Sequence, residues 1–238
     1  MSDFMIVMGL ALLPGFGNFL GGLLAEAISV APKRLNQALH AAAGIMIAVV
    51  AVELIPRALE NVAGWLVAGS FLAGGLAMML VQAVAGERDE TGGGPWVIYL
   101  AVATDLFSDG LMLGSGSAVS SALAVLLALG QVLADVPEGF AAMANFRDAG
   151  MKKSKRLLLS ISFFVPVMAA AAGAYLLLRD QSDLLKYGAL SFISGMLLLA
   201  AAEDMMNEAH ESSADTRASS FAFLGGFALF TLVSSAFG

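Results

Sequence analysis

Apolar residues in this chain gather into long blocks instead of alternating with polar ones. A helix that crosses a bilayer needs about 20 mostly apolar residues. Eight blocks meet that length: 4–26 (α1), 38–59 (α2), 63–85 (α3), 96–115 (α4), 119–146 (α5), 157–178 (α6), 187–209 (α7) and 219–237 (α8). Polar or flexible stretches separate them, among them Pro32-Lys33-Arg34, Gly86–Gly94, Gly114–Ser121, Gly150–Arg156 and Arg179–Asp183. None of these is long enough to hold a soluble domain. The pattern predicts an all-α integral membrane protein, one transmembrane domain over residues 1–238 with eight transmembrane helices.

Composition agrees. Of 238 residues, 59% are hydrophobic and 13% charged, about half the charge of a soluble domain. Mean hydropathy is +0.84. With no cysteine, disulfides, thiolate metal sites and a Cys nucleophile are excluded. The net charge of −7 argues against nucleic acid as a partner. Met1-Ser2-Asp3-Phe4 lacks the basic start of a secretory signal, so α1 is expected to be retained. No Gly-rich phosphate loop points to ATP use.

The basic residues predict orientation. Connections after α1, α3, α5 and α7 carry Lys33, Arg34, Arg88, Arg147, Lys152, Lys153, Lys155, Arg156 and Arg217, against Arg57, Arg179 and Lys186 opposite. Nine against three places the first group in the cytoplasm of a cell with an inner or plasma membrane, and both termini outside. The chain also repeats weakly. Asp109-Gly110 in α4 returns as Glu138-Gly139 in α5, 29 positions on. Gly44, Glu53 and Pro56 in α2 correspond to Gly195, Asp204 and Asn207 in α7, 151 positions on. In this topology each pair runs in opposite directions, the arrangement of inverted repeats around a mid-membrane site.

Two stretches put acids inside apolar helices: Asp105-Leu106-Phe107-Ser108-Asp109-Gly110 and Asp135-Val136-Pro137-Glu138-Gly139. Neither has a Lys or Arg close in sequence. A buried acid without a basic partner must be protonated, sit in water or hold a cation. Asp105 and Asp109 share one helix face by their spacing of four; Asp135 and Glu138 share another by their spacing of three. If the faces meet, four carboxylates converge, and a divalent cation or partial protonation relieves their repulsion. The competing reading places these acids in water at helix ends, but all four lie well inside their segments. Pro137 deprives the Leu133 carbonyl of its helical partner, Gly110 and Gly139 permit close helix approach, and Gln131 adds a neutral oxygen one turn before Asp135.

With these residues in view, the chain resembles the ZIP (ZRT/IRT-like) divalent metal transporters of bacterial type. Asp135-Val136-Pro137-Glu138-Gly139 is similar to the family's Gln/His-Asp/Glu-x-Pro-Glu-Gly, and Asp105 to Gly110 aligns with His-Asn-x-Pro-Glu-Gly. Ala43-Gly44-Ile45-Met46 with Glu53-Leu54-Ile55-Pro56 resembles the family's second helix, and Asn145-Phe146-Arg147 through Arg156 its basic turn into α6. The resemblance implies a ZIP-like 3+2+3 inverted-repeat bundle and import of a divalent metal ion, Zn²⁺ first, with Mn²⁺, Fe²⁺ or Cd²⁺ as alternatives. It implies metal ligands Asp105, Asp109, Asp135 and Glu138, and no enzymatic activity. The α4 motif is degenerate: Asp105 stands for the His, Leu106 for the Asn, Ser108 for the Pro and Asp109 for the Glu. Ala134 stands for the first α5 ligand, and Val165 precedes Pro166 where some relatives have Glu. An all-oxygen site that lacks imidazole weakens zinc selectivity and admits harder ions. The His-rich cytoplasmic loop of many members is replaced by Gly86–Gly94.

Other polar residues are secondary or pathway candidates. Glu53 either lies on the ion path or caps the outer end of α2. Glu203 and Asp204 are placed on the path, whereas Glu208, His210 and Glu211 read as a solvated helix end. His40 reads as interfacial before it reads as a ligand, and Glu26 as interfacial. Metal ion and lipid bilayer are the expected partners, and a homodimer is admitted. Two rivals stand beside the transporter: a ZIP-like metal sensor or scaffold that does not transport, and an intramembrane metalloenzyme, which lacks paired histidines near the acids.

Overall fold

In a computed structural model, residues 2–29, 31–85 and 95–237 are described. The Gly86–Gly94 connection, with Arg88, lies outside them. All regular structure among the described residues is helical. Among the described residues, eight helices are long and apolar enough to cross a membrane: α1 Asp3–Ala27, α2 Pro32–Asn61, α3 Gly64–Ala83, α4 Pro95–Val119, α5 Ser121–Asp148, α6 Lys153–Leu178, α7 Asp183–Ser212 and α8 Arg217–Ala236. Their order and number follow the apolar blocks.

One boundary is corrected. The Gly114–Ser121 stretch reads as a connection, yet α4 runs on through Val119 and only Ser120 separates it from α5. The small residues there serve packing. A Cβ at Gly114 would run into the Ala171 carbonyl of α6, and one at Gly116 into the Leu127 side chain of α5. Ser117 Oγ returns to the Leu113 carbonyl at 2.6 Å. The turn falls at Ser120 because its side chain accepts from the Leu123 amide at 3.1 Å, capping α5.

Proline and π-helical turns interrupt α2, α6 and α7. In α6 a break at Phe163 separates Lys153–Ser162 from Phe164–Leu178. Pro166 removes the partner of the Ser162 carbonyl there. A π-helical turn at Val49–Leu54 precedes Pro56 in α2, and a second occupies Ala200–Met205 in α7. Such turns gather at functional sites in helices generally.

Helices pair as α1 with α5, α4 with α6, α2 with α8 and α3 with α7; α4 and α5 also pack on each other. The main core joins Met46 and Leu54 of α2, Met112 and Leu113 of α4, Leu127 of α5, Leu197 of α7 and Phe230 of α8. Lipid is as apolar as leucine, so close packing of small residues must hold the helices together. Gly44 lies against the Phe223 carbonyl and Gly195 against the Phe71 carbonyl, each with no room for a Cβ. Trp65, Leu72 and Leu80 on α3 and Leu224 and Leu232 on α8 point outward, as lipid-facing residues should.

Candidate functional site

The acids of α4 and α5 are buried together with the amides of Gln131 and Asn18. Asp109 is 0% exposed, Asp135 1%, Glu138 5% and Asp105 8%. The sequence spacing sets each pair on one helix face, and the antiparallel packing of α4 on α5 turns those faces together. Asp105 approaches Glu138, and Asp109 approaches Asp135 and Gln131. All four carboxylates lie within electrostatic reach of one another.

Five of their eight oxygens lack a donor. Both carboxylate oxygens of Asp109 and one each of Asp105, Asp135 and Glu138 are buried without a hydrogen-bond partner, as are both amide atoms of Gln131. Among the described residues no basic side chain forms an ion pair with any of the four. Two unit negative charges 4 Å apart repel by about 4 kcal/mol at an effective dielectric of 20. Such a group is stable only when protons or a cation offset the charge. The donor set is carboxylate with one amide, an all-oxygen environment suited to a divalent cation.

Glycines fix the walls of this cluster, with partners that the sequence leaves open. Gly110 presses on the Val167 carbonyl of α6, and Gly139, beside Glu138, presses on the backbone of Asn18 in α1. Pro137 sits inside a continuous α5 and does not break it. Asn18 is an addition that motif reasoning missed. It is 1% exposed, and both its amide atoms are without partners. A lone amide in the run Pro14-Gly15-Phe16-Gly17-Asn18 was the available signal.

Not every predicted residue joins the cluster. Asp204 lies at its edge, half-buried, close enough to Asp105 to interact and accepting from Gln82 of α3 at 3.0 Å. Glu203, its neighbour, is exposed. Glu53 is buried but satisfied: Arg57 donates to it at 2.8 Å and Ser234 of α8 donates to its other oxygen. Glu26 is likewise paired, with Arg156 of α6 donating at 2.7 Å and Lys153 nearby. His40 is engaged at the end of the bundle where α2 begins and α7 finishes, facing Asp215.

The fold defines a multi-pass helical membrane protein with a buried acidic centre. No protein-family model matches the chain, and comparison with curated proteins finds no match.

Proposed function

We propose that this protein carries a divalent metal cation across the membrane into the cytoplasm, bound between α4 and α5 by Asp105, Asp109, Asp135 and Glu138. The observation that carries this is the convergence of four buried carboxylates, five of whose eight oxygens lack donors and whose surroundings offer no described basic partner. Acids inside membrane spans mark ion pathways as a rule. The ZIP resemblance of the two motifs points the same way. Zn²⁺ is the first expected substrate, and the oxygen-only ligand set also suits Mn²⁺ or Fe²⁺.

An inverted-repeat bundle, with α1–α3 related to α6–α8 and α4 to α5, gives the route. Under that relation the pairs α1–α5 and α4–α6 exchange, as do α2–α8 and α3–α7. Three details support it. The π-helical turns of α2 and α7 start at Val49 and Ala200, 151 positions apart. Gly44 meets Phe223 of α8 where Gly195 meets Phe71 of α3. Gly226 of α8 meets Ala41 where Gly74 of α3 meets Phe192, and Ala41 and Phe192 again differ by 151. Two halves related in this way can rock about a fixed central site and expose it alternately to each side.

Uptake into liposomes holding the purified protein tests the assignment. Zn²⁺, Cd²⁺, Mn²⁺ or Fe²⁺ should enter down a gradient, and Asp109→Ala combined with Glu138→Ala should reduce entry to the level of protein-free liposomes. Normal uptake by that double variant would remove the proposed site. Tight metal binding without movement of any of the four ions would favour the non-transporting scaffold.

A further inference from the structure

The chain contains two histidines, and the fold brings them together. His40 lies in the third turn of α2 and His210 in the last turn of α7. Their ring centroids are 5.9 Å apart. Asp215, in the connection from α7 to α8, stands between them: one carboxylate oxygen is 3.4 Å from His40 Nε2 and the other 2.8 Å from His210 Nε2. One ligand atom from each of the three side chains falls within 4.8 Å of the other two.

The details favour a metal. His40 is 3% exposed. Its Nδ1 lies 2.8 Å from the Asn36 carbonyl oxygen, which can only accept. Nδ1 therefore carries a proton, and in the neutral ring the lone pair is left on Nε2, 3.4 Å from the Asp215 carboxylate. Metal-bound histidines are held in this way, with the remote ring nitrogen donating to a carbonyl. Asn36 also secures the carboxylate: its amide donates to Asp215 at 3.0 Å and to the Ala209 and Ser213 carbonyls at 2.9 Å each. Asn36 in turn accepts from the Ser219 hydroxyl of α8. The ligand-bearing connection is thus tied to α2 by one amide. His210 and Asp215 are 49% and 44% exposed at their side chains, so the group opens to solvent on one side.

We infer that His40, His210 and Asp215 form a second cation site at this end of the bundle, for a transition metal of the Zn²⁺ class. Two imidazoles and one carboxylate form a ligand set typical of zinc, with the fourth position left to water. Hard ions such as Mg²⁺ prefer oxygen ligands and are excluded. The site is chemically unlike the carboxylate centre and stands independently of it. The half-exposure of His210 and Asp215 suits a metal that must be taken up and released at the surface.

The test uses the full-length protein in detergent, labelled with ¹⁵N-histidine. Two histidines give two sets of ring signals, which single variants assign. Added Zn²⁺ should shift the Nε2 resonances of both rings together, and Mg²⁺ at the same concentration should move neither. The response should persist in Asp109→Ala/Glu138→Ala, so it reads this site whatever the fate of the mid-membrane one. In His210→Gln, an exposed change that spares the fold, the His40 response should need at least about tenfold more Zn²⁺. Zn²⁺ that leaves His40 unmoved, or shifts the exposed His210 alone, would overturn the inference. An undiminished His40 response in His210→Gln would do the same.

Discussion

Asn36 shows how much one side chain can organise. Its amide and carbonyl oxygen link α2 to the last turn of α7, to the α7–α8 connection and to Ser219 of α8. The same amide, with His210 beyond it, holds the Asp215 carboxyl below the usual carboxylate range. Replacing Asn36 by Ala leaves the Ser213 carbonyl without this donor and removes one partner each from the Ala209 carbonyl and the Ser219 hydroxyl, which keep Ser212 and Thr216. A buried polar group left unpaired costs about 1–3 kcal/mol, so Asn36→Ala should lower thermal stability in detergent by an amount of that order. A melting temperature equal to wild type would show that water replaces the amide without cost. Nothing in the sequence singles Asn36 out, because its partners lie 173 to 183 positions away. The central acids are different. Asp105, Asp109, Asp135 and Glu138 stand out locally, since an ionisable group in an apolar helix is costly wherever the helix packs.

At the scale of elements, the close approaches of α2 to α8 and of α7 to α3 make a matched pair of predictions. Gly44→Ala and Gly195→Ala each drive a methyl group into a carbonyl oxygen of the neighbouring helix. Overpacking of this kind costs about 1–3 kcal/mol, and thermal unfolding should show similar losses for both variants. Gly9→Ala meets nothing within 4 Å and should be neutral within about 0.5 kcal/mol. A large loss for Gly44→Ala beside none for Gly195→Ala would separate the two halves energetically and count against their equivalence. Helix existence was legible from apolar length alone, whereas the end of α4 was not. Gly114 and Gly116 look like a break in sequence because the same small side chain permits both a turn and a tight helix contact. The π-helical turn of α2 has a local cause in Pro56. That of α7 has no proline to announce it.

For the whole molecule, the distribution of basic residues predicts sidedness. The protein has no native cysteine, so single cysteines report without background. Arg179→Cys should react with a membrane-impermeant thiol reagent on intact cells, and Lys153→Cys only after permeabilisation. The reverse pattern would invert the topology and, with it, the direction assigned to transport.

Sequence alone determined the eight spans, the membrane environment and the acidic residues of the centre, because hydropathy and the cost of burying charge act locally. Tertiary structure decided which helices touch, that the two acidic faces meet, that Glu53 and Glu26 are neutralised by partners, and that the two histidines share one carboxylate. Those facts depend on contacts between helices far apart in the chain, and apolar helices that pack through small residues carry little sequence code for which neighbour they choose.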